Sequence, residues 1–454
     1  MMKESLLDYL RDIYIALPED IRDVYKFFFP IERLALHYSS FLMHSQWFSE
    51  EKIKEYQIKE LKKLLSHAYK NSRWYRRILS KADISDADFE DFKVLSKLPI
   101  LKKEDLKHHL EEICIENYKR YFHIRGSSSG STGTPVQFVA DKRWIAFGKA
   151  VVNRFMKWHN YDIKLRKLEI MYRMTDDLYI KRWKKLIISA FKIGDKTASQ
   201  IVKLIKEFKP QVIRSFPMTI HTLIKYLKKY NVKIRPKMIF TTSETLFPHI
   251  KEEIEKFFVC KVFDFYGGNE TNVTACDCEY QSKHVNFECG ILEIVDEKGK
   301  PVPEGKEGFV VITDFTNYLM PLIRYEMRDL AVLSKEKCLC GRNSPVIEKL
   351  LGRQDDILIT KDMNYVSRLD EAFHKSKGIF EAQIVQEKPG YAVIKIVKDE
   401  DFQQKDLEIL TEELKKRLGE DFEIEFEFVD EIPRLKSGKY KFVINKCLEN
   451  LERT

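Results

Sequence analysis

The sequence predicts an α/β protein with a large N-terminal domain over residues 1–352 and a small, mobile α+β domain over residues 353–454. Strand-like and helical segments alternate from Lys209 to Gly268, as they do in a parallel sheet with helical crossovers. Residues 1–115 instead carry apolar side chains mainly at helical spacing. With 454 residues, 44% of them hydrophobic, the chain can bury the cores of more than one domain.

The N-terminal region is predicted to be helical. The segment Glu50–Leu79 has apolar residues at helical spacing and contains neither Gly nor Pro, and Lys103–Ile115 predicts another helix after Pro99. The first residues lack the basic-then-apolar pattern of a secretion signal. We therefore expect a cytoplasmic protein without membrane insertion.

A hydroxyl-rich segment, SSSGSTGTP from Ser127 to Pro135, follows the helical region. It holds two of the chain's 17 glycines and leads into the strand-like stretch Val136–Ala140. Such a loop can gather backbone N–H groups and hydroxyls around a phosphate, whereas the alternative is a flexible linker. It is not a Walker loop, because no Gly-Lys-Ser/Thr follows.

The central part of the chain predicts a parallel sheet. Strands are expected within 210–217, 232–244 and 260–268, separated by helices. In such sheets ligands bind at the carboxyl ends of the strands. Two of these ends carry polar clusters, Thr241–Glu244 and Tyr266–Thr271. The sequence therefore predicts a ligand site at this edge.

The rest of the chain predicts a β-rich part over residues 285–335 and then a separate unit. That unit alternates a strand at Tyr391–Val397, a helix at Lys405–Leu418 and a strand at Glu423–Val429. It ends in the loop Pro433–Lys441. A small α+β domain is predicted from this order.

Five motifs follow one another in an order that resembles the adenylate-forming superfamily of acyl-CoA ligases, peptide-synthetase adenylation domains and luciferases. They are SSSGSTGTP, FYGGNET, RYEMRD, GRQDD and PRLKSGK. Within the superfamily the chain is most similar to the phenylacetate-CoA ligase branch, particularly its CapK-like members. The resemblance covers nearly the whole chain. It implies activation of a small-molecule carboxylate by ATP, with release of pyrophosphate, and transfer of the acyl group to coenzyme A.

The resemblance also implies a set of nucleotide-binding residues. The hydroxyl-rich loop would cradle the β- and γ-phosphates of ATP through Ser128, Ser129, Gly130, Ser131, Thr132, Gly133 and Thr134. Tyr266 would lie on the adenine, and Asp329 would bind the ribose hydroxyls. Asp355 would be the hinge, with Arg353 bonding to the nucleotide or stabilising one domain arrangement. Further nucleotide contacts would come from Gly267 and Thr271, and Ser243 and Glu244 would lie on the adenine side or on the substrate side.

Two residues are assigned catalytic roles by the resemblance. Lys439 would reach from the small domain to bridge the carboxylate and the α-phosphate, and Glu270 would help to hold Mg²⁺. From the residues alone, Lys439 could instead be one more solvated lysine. Glu270 could be a turn residue or a helix cap.

Three departures from the family pattern keep other functions open. Val136-Gln137 stands where many members carry a lysine, and Met327-Arg328-Asp329 replaces Thr-Gly-Asp. Residues 361–364 replace the glycine-rich segment that serves the reaction with coenzyme A. An adenylating enzyme of capsule biosynthesis with a different acceptor is therefore the alternative, followed by a nucleotide-binding homologue without turnover.

Half of the eight cysteines form two close pairs, which predict a structural zinc site. The chosen ligands, in keeping with the family resemblance, are Cys278, His284, Cys338 and Cys340. A four-cysteine site with Cys276 in place of His284 is the alternative. Buried reduced thiols are the third interpretation.

Charge and composition predict few macromolecular partners. The formal net charge of +9 is spread among many acidic residues, and no arginine-rich or aromatic-interleaved segment indicates nucleic-acid binding. Phe27–Phe29 predict either the edge of a core or a contact with a second copy of the chain. A homodimer is therefore one of the alternatives.

Overall fold

A computed structural model describes residues 30–84, 88–89, 91–127, 136–171, 177–353, 358–362, 365–366, 369, 372–373, 376, 378–434 and 440–447. Within these residues the strands form one twelve-stranded sheet, one four-stranded sheet and two small two-stranded sheets. Helices pack around both larger sheets, which confirms the predicted α/β class. We call residues 30–353 the main body and the described residues from 358 to 447 the C-terminal unit.

The first part of the main body is helical, as predicted. Its helices are α1 (Pro30–Ser45), α2 (Glu50–Asn71), α3 (Arg73–Lys81), α4 (Lys93–Lys97) and α5 (Lys103–Ile113). The single helix predicted over Glu50–Leu79 is divided at Ser72. This residue has extended φ and ψ of −111° and 127°, and its hydroxyl accepts a hydrogen bond from the Tyr75 N–H. Ser72 therefore acts as the N-cap of α3.

A short antiparallel hairpin, β1 (Ile124–Ser127) and β2 (Gln137–Ala140), leads to the helix α6 (Lys142–Trp158). The parallel part of the large sheet follows. Its elements are β3 (Lys167–Met171), β4 (Tyr179–Arg182), β5 (Lys185–Ser189), α7 (Asp195–Phe208), β6 (Val212–Ser215), α8 (Pro217–Lys229), β7 (Met238–Thr242), α9 (Pro248–Phe258) and β8 (Val262–Tyr266).

Strands β5, β3, β6, β7 and β8 lie side by side and run parallel, and β4 closes the edge antiparallel to β5. Helices α8 and α9 each begin with a proline, whose fixed φ suits the first helical turn. The strand predicted over 232–244 is shorter than expected. Only Met238–Thr242 pairs with its neighbours, because residues 232–237 are irregular.

The β-rich part is a continuation of the same sheet. Its strands are β9 (Ala275–Asp277), β10 (Lys283–Val285), β11 (Gly290–Val295), β12 (Glu307–Asp314), β13 (Leu322–Leu333) and β14 (Val346–Arg353). Strand β9 pairs antiparallel with β8, and the sheet continues through β10, β14, β13 and β12 to β11. Through β9, β10 and β14, the sheet therefore connects the parallel strands to β13, the strand that carries Asp329.

The C-terminal unit has its own core. Its elements are β15 (Leu358–Ile359), β16 (Tyr365–Val366), β17 (Ile379–Lys388), β18 (Tyr391–Lys398), α10 (Gln404–Leu418), β19 (Glu423–Phe428) and β20 (Val443–Asn445). The four-stranded sheet has the order β19, β18, β17, β20, and side chains of α10 such as Leu410 and Leu414 are fully buried against it. This agrees with the predicted strand, helix and strand.

A buried ion pair joins α1, α6 and the segment before β11. The Arg154 guanidinium lies 2.6 Å and 3.0 Å from the two Glu288 carboxylate oxygens, and it also donates to Asn286 Oδ1 and to the Leu42 carbonyl. Ser45 Oγ donates to Glu288 at 2.5 Å. Among the described helices, none combines the length and the apolar character that a membrane span requires.

Candidate functional site

The carboxyl ends of β7 and β8 lie at one edge of the large sheet, as predicted. Tyr266 is the last residue of β8, and its hydroxyl donates a 2.7 Å hydrogen bond to Asp329 Oδ2 on β13. Asp329 lies opposite Arg353 in the register of β13 and β14. Three of the predicted nucleotide-side residues therefore come from distant parts of the sequence and meet at this edge.

The backbone before Asp329 adopts an unusual conformation. Arg328 has a φ of +60°, in the left-handed region that favours glycine, and the pairing of β13 with β14 is irregular just beyond it. Its guanidinium donates to both Glu104 oxygens, at 2.9 and 3.0 Å. Arg328 thus adopts a backbone conformation that glycine takes with less strain.

Glu270, four residues after Tyr266, is almost fully buried. It accepts a 3.1 Å hydrogen bond from the Tyr325 hydroxyl, so that the FYGGNET and RYEMRD motifs are in contact. A Cβ on Gly268 would lie 3.2 Å from Glu270 Oε2 and 2.8 Å from the Met327 side chain. The glycine therefore allows these side chains to pack against the β8 end.

Two other predicted residues of the FYGGNET motif, Thr271 and Gly267, lie close to neighbouring protein groups. The buried Thr271 hydroxyl donates to Asp314 Oδ2 at 2.9 Å and accepts from the Val273 N–H. Gly267 is exposed, and a Cβ there would lie 2.5 Å from Thr274 Cγ2. Thr271 fixes the turn, and nucleotide contacts of both residues stay a prediction.

Ser243 and Glu244 follow the end of β7. Ser243 has a φ of +69°. Glu244 accepts hydrogen bonds from the Met218 N–H in the first turn of α8 and from the Tyr440 N–H in the C-terminal unit, both at 3.3 Å. Glu244 therefore connects the sheet edge to the residue that directly follows Lys439.

Several predicted residues lie outside the described part of the chain. These are Lys439, Asp355 and the loop residues from Ser128 to Thr134. The strands on either side of the loop are described and pair with each other, with Ser127 opposite Gln137. The Asn317 side chain donates to the Val139 carbonyl at 2.8 Å, which holds this hairpin next to the segment that leads into β13.

A second site is formed by three cysteines and a histidine. The ligand atoms of Cys278, His284, Cys338 and Cys340 all lie within 4.8 Å of one another. Cys278 Sγ is 3.6 Å from Cys338 Sγ, and His284 Nε2 is 3.2 Å from Cys340 Sγ. Sulfurs bound tetrahedrally to zinc, with Zn–S bonds of about 2.3 Å, lie roughly 3.8 Å apart. The donor set therefore fits a structural zinc ion.

Two turns present these ligands. The N–H groups of Tyr280 and Cys340 donate to the sulfurs of Cys278 and Cys338, at 3.4 and 3.5 Å. Burial lowers the pKa of His284 to about 4, so that its ring is neutral and its Nε2 can supply a lone pair while Nδ1 donates to Ser344 Oγ.

Cys276 is not part of this cluster. It is fully buried on β9, where the Asn286 side-chain amide lies 3.2 Å from its sulfur. Its sulfur is not among the four ligand atoms that lie within 4.8 Å of one another. The sequence left two ligand sets open, one with His284 and one with Cys276. The structure places the ligand atoms of the set with His284 close together.

A buried charge network behind the site was missed at the level of sequence. Lys283 on β10 lies 2.9 Å from Asp264 on β8 and 2.8 Å from Asp277 on β9, and Thr241 on β7 donates to Asp264 at 2.7 Å. The network ties together four neighbouring strands, including those that carry Tyr266 and His284. Charged residues inside otherwise apolar strands were the available signal.

Comparison with known proteins adds three relationships. Residues 358–446 match the family described as CapK C-terminal domain. The protein CapK of Staphylococcus aureus is 23% identical over 407 residues, which cover 86% of this chain and 89% of CapK. The phenylacetate-coenzyme A ligase of Thermus thermophilus is 28% identical over 337 residues, which cover 69% of this chain and 73% of that ligase.

A solved structure with the same fold is that of 2-hydroxyisobutyryl-CoA ligase in the postadenylation state, in complex with R3-HIB-AMP. It superimposes with a TM-score of 0.72 at 18% identity and covers 90% of this chain and 93% of that ligase. The comparisons confirm the fold class. They also confirm the resemblance that the five motifs indicated.

Proposed function

We propose that this chain, a relative of CapK and of the phenylacetate-CoA ligases, activates a carboxylic acid with ATP and transfers the acyl group to coenzyme A. The observation that carries the proposal is the hydrogen bond between Tyr266 and Asp329, together with the contact of the buried Glu270 with Tyr325 on the same strand as Asp329. This arrangement lies at the carboxyl edge of a parallel sheet, where α/β proteins bind nucleotides.

The proposed chemistry joins two anions. An oxygen of the substrate carboxylate attacks the α-phosphorus of ATP, the bond to the β-phosphate oxygen breaks, and pyrophosphate leaves. The protein therefore has to supply positive charge, N–H donors and alignment. We propose that Lys439 supplies positive charge and that the hydroxyl-rich loop at 128–134 supplies N–H donors. Mg²⁺ held by Glu270 would supply further positive charge at the phosphates.

The nucleotide itself would be aligned by the two strand ends. Tyr266 would pack on the adenine, and its hydrogen bond fixes the orientation of Asp329, which would accept from the ribose hydroxyls. Glu244 supports this proposal because it connects the edge to Tyr440, the neighbour of Lys439. The division into domains at 352/353, with a hinge at Asp355, and a cytoplasmic location are parts of the same proposal.

We further propose that the cysteine and histidine cluster holds one structural zinc ion. The support is the mutual distance of the four ligand atoms and the N–H donors to two of the sulfurs. Such an ion would hold the β9–β10 turn against the loop between β13 and β14. It would not take part in the chemistry, because a site with four protein ligands is closed to substrate.

The function is tested by measuring pyrophosphate release with ATP, Mg²⁺ and a panel of carboxylic acids, with and without coenzyme A. Release with one class of acid, together with a thioester product when coenzyme A is present, is the expected result. No release with any acid, together with no detectable ATP binding by calorimetry, would contradict the proposal.

One observation supports the alternative function, in which the acyl acceptor is not coenzyme A. The match of residues 358–446 to the CapK C-terminal domain covers the unit that would approach the acyl-adenylate during transfer. In this alternative the acyl group passes to an amine or hydroxyl of a sugar. The same assay separates the two functions, since an adenylate that accumulates despite coenzyme A indicates the second acceptor.

A further inference from the structure

The amino ends of the parallel strands form the edge of the large sheet that lies opposite the carboxyl edge. Five segments lead into β3, β5, β6, β7 and β8 there, namely 161–167, 181–185, 209–211, 231–237 and 259–261. Main-chain hydrogen bonds join neighbouring segments, for example from the Lys167 N–H to the Lys184 carbonyl and from the Lys237 N–H to the Gln211 carbonyl. We call these five segments the amino edge.

The amino edge concentrates the positive charge of the protein. Its segments contain twelve lysines and arginines and one acidic residue, Asp162, so that their formal net charge is +11. The whole chain carries +9, and the remaining residues together are therefore slightly acidic. A surface of one sign attracts a partner of the opposite sign, whereas a mixed surface does not.

Most lysines of the amino edge are available to such a partner. Lys167 and Lys185 are directed inward and lie 2.9 and 2.7 Å from the carboxylate oxygens of the buried Glu169. Six others are exposed, and none of the six forms an ion pair with a residue that the structure describes. These six are Lys164, Lys181, Lys209, Lys233, Lys237 and Lys261.

The helix dipole explains only a part of this distribution. A lysine at the C-terminus of a helix complements the negative end of the dipole, which accounts for Lys209, the C-cap of α7. Lys164 lies in a loop and Lys181 lies in β4, so that neither has this role. The positive charge of the amino edge is therefore not a consequence of helix capping alone.

Apolar side chains lie between these lysines. Trp183 is in the turn between β4 and β5 and is 53% exposed, and Val259 directly follows α9 and is 70% exposed. The Lys184 amine lies 5.7 Å from the centre of the Trp183 ring. Tryptophan and lysine occur together at membrane interfaces, because the indole lies among the lipid headgroups while the amine reaches the phosphates.

The exposed apolar surface continues beside β8. Because β9 runs antiparallel to β8, the turn after β9 lies at the same edge, where the Lys261 amine donates to the Glu279 carbonyl at 3.3 Å. Tyr280 in this turn is exposed, and Leu339, between two of the candidate zinc ligands, is 85% exposed. Basic and apolar side chains therefore share one edge of the molecule.

We propose that the amino edge binds the surface of a membrane that contains anionic phospholipids. The exposed lysines lie at the level of the lipid phosphates, and Trp183, Val259 and the adjacent Leu339 enter the headgroup region. The phosphates of a nucleic acid would match the lysines equally well, but they offer nothing to Val259 and Leu339. The apolar side chains therefore favour a lipid surface.

Membrane binding at this edge leaves the candidate nucleotide site accessible. Strands β7 and β8 are five residues long, so that their two ends are about 16 Å apart. Tyr266 lies at the far end of β8, and the contact between Glu244 and Tyr440 lies beyond the far end of β7. The two functions use opposite edges, and the membrane proposal does not depend on the proposed reaction.

The test measures sedimentation of the full chain with vesicles, in the absence of ATP and of any acid. The vesicles contain phosphatidylcholine alone or together with about 30% phosphatidylglycerol. We expect the anionic vesicles to bind the protein at least about tenfold more tightly than the neutral ones at about 0.1 M salt, and to release most of it at about 0.5 M salt. Equal binding to both kinds of vesicle, or none to either, would overturn the proposal.

Two double variants locate the binding surface. Lys181→Gln with Lys237→Gln should weaken binding to anionic vesicles roughly 25-fold, because each lysine near the lipid surface contributes about fivefold. The matched control, Lys54→Gln with Lys59→Gln, removes the same charge from exposed positions on α2 and should stay within about threefold of the unmodified chain. An equal loss in both double variants would contradict the assignment to the amino edge.

The apolar contribution is tested with Trp183→Ala, which should weaken binding about tenfold, whereas Phe122→Ala at an exposed position before β1 should not. Unchanged binding by Trp183→Ala would contradict the proposed membrane contact. Duplex DNA in the same buffer tests the other polyanion. Binding to DNA that the Lys181 and Lys237 variant weakens, without binding to vesicles, would assign the edge to nucleic acid and overturn the proposal. Far-ultraviolet circular dichroism establishes that each variant is folded.

Discussion

The buried pair of Arg154 and Glu288 allows a quantitative prediction of stability. Both side chains are almost fully excluded from solvent, with 3% and 0% exposure. The change Arg154→Met keeps most of the side-chain volume but leaves the Glu288 carboxylate without its cation. Removal of one partner of a buried pair costs about 3–5 kcal/mol, because the remaining charge is uncompensated. Ser45 remains as a donor to Glu288 and favours the lower part of this range.

The magnitude can be converted to a melting temperature. Unfolding entropy is about 2.1 cal/mol/K per residue, which gives roughly 0.6 kcal/mol/K for a cooperative unit of about 300 residues. The loss then corresponds to a decrease of about 5–8 °C. The double variant Arg154→Met with Glu288→Gln should recover most of it, since no charge is left buried.

Differential scanning calorimetry measures the effect, and a surface pair supplies the matched control. Arg77 and Glu112 lie 3.1 Å apart with 58% and 33% exposure, so that Arg77→Met should cost no more than about 1 kcal/mol. If Arg154→Met lowers the melting temperature no more than Arg77→Met does, the assignment of a buried, fully compensated ion pair is wrong. The same conclusion holds if the double variant is no more stable than the single one.

Three further predictions concern the sites. Tyr266→Phe removes the hydroxyl that holds Asp329 and should weaken ATP binding, measured by calorimetry, about tenfold. The control Tyr121→Phe, at an exposed position, should leave ATP binding unchanged, and equal affinities of the two variants would contradict the role of Tyr266. Lys439→Ala should slow acyl-adenylate formation by about 10²–10³-fold and leave ATP affinity within about threefold, because the contact proposed for Lys439 belongs to the transition state. The control Lys441→Ala should stay near the unmodified rate. The unmodified protein should contain about one equivalent of zinc, measured by atomic emission, and Cys338→Ser should contain less. Cys276→Ala should retain the zinc, and retention by both variants would exclude the proposed ligand set.

Local patterns were sufficient for most of the fold. Helical spacing and prolines predicted α8 and α9, and apolar segments between them predicted β6, β7 and β8. The division of the long N-terminal helix at Ser72 was not predicted, because its cap depends on one side chain within an otherwise regular pattern. The continuation of β8 into the antiparallel strands was not predicted either, since strand neighbours are set by tertiary packing.

The candidate sites show the same limit. The motifs selected Tyr266, Glu270 and Asp329, and the structure joins Tyr266 to Asp329 and Glu270 to Tyr325 by hydrogen bonds, while their roles stay a prediction. The partners of these residues were not predictable from motifs. The hydrogen bond from the Tyr325 hydroxyl to Glu270, for example, depends on how β13 approaches the segment after β8.

The segment Met327-Arg328-Asp329 shows why a departure from a motif does not by itself remove a site. At the level of sequence, arginine in the place of glycine put the position of Asp329 in doubt. A non-glycine residue in the left-handed region costs about 1–2 kcal/mol, and the contacts between Arg328 and Glu104 offset part of this cost. The left-handed conformation of Arg328 is therefore compatible with the hydrogen bond between Asp329 and Tyr266. Glycine would provide the same value of φ at a lower conformational cost than arginine.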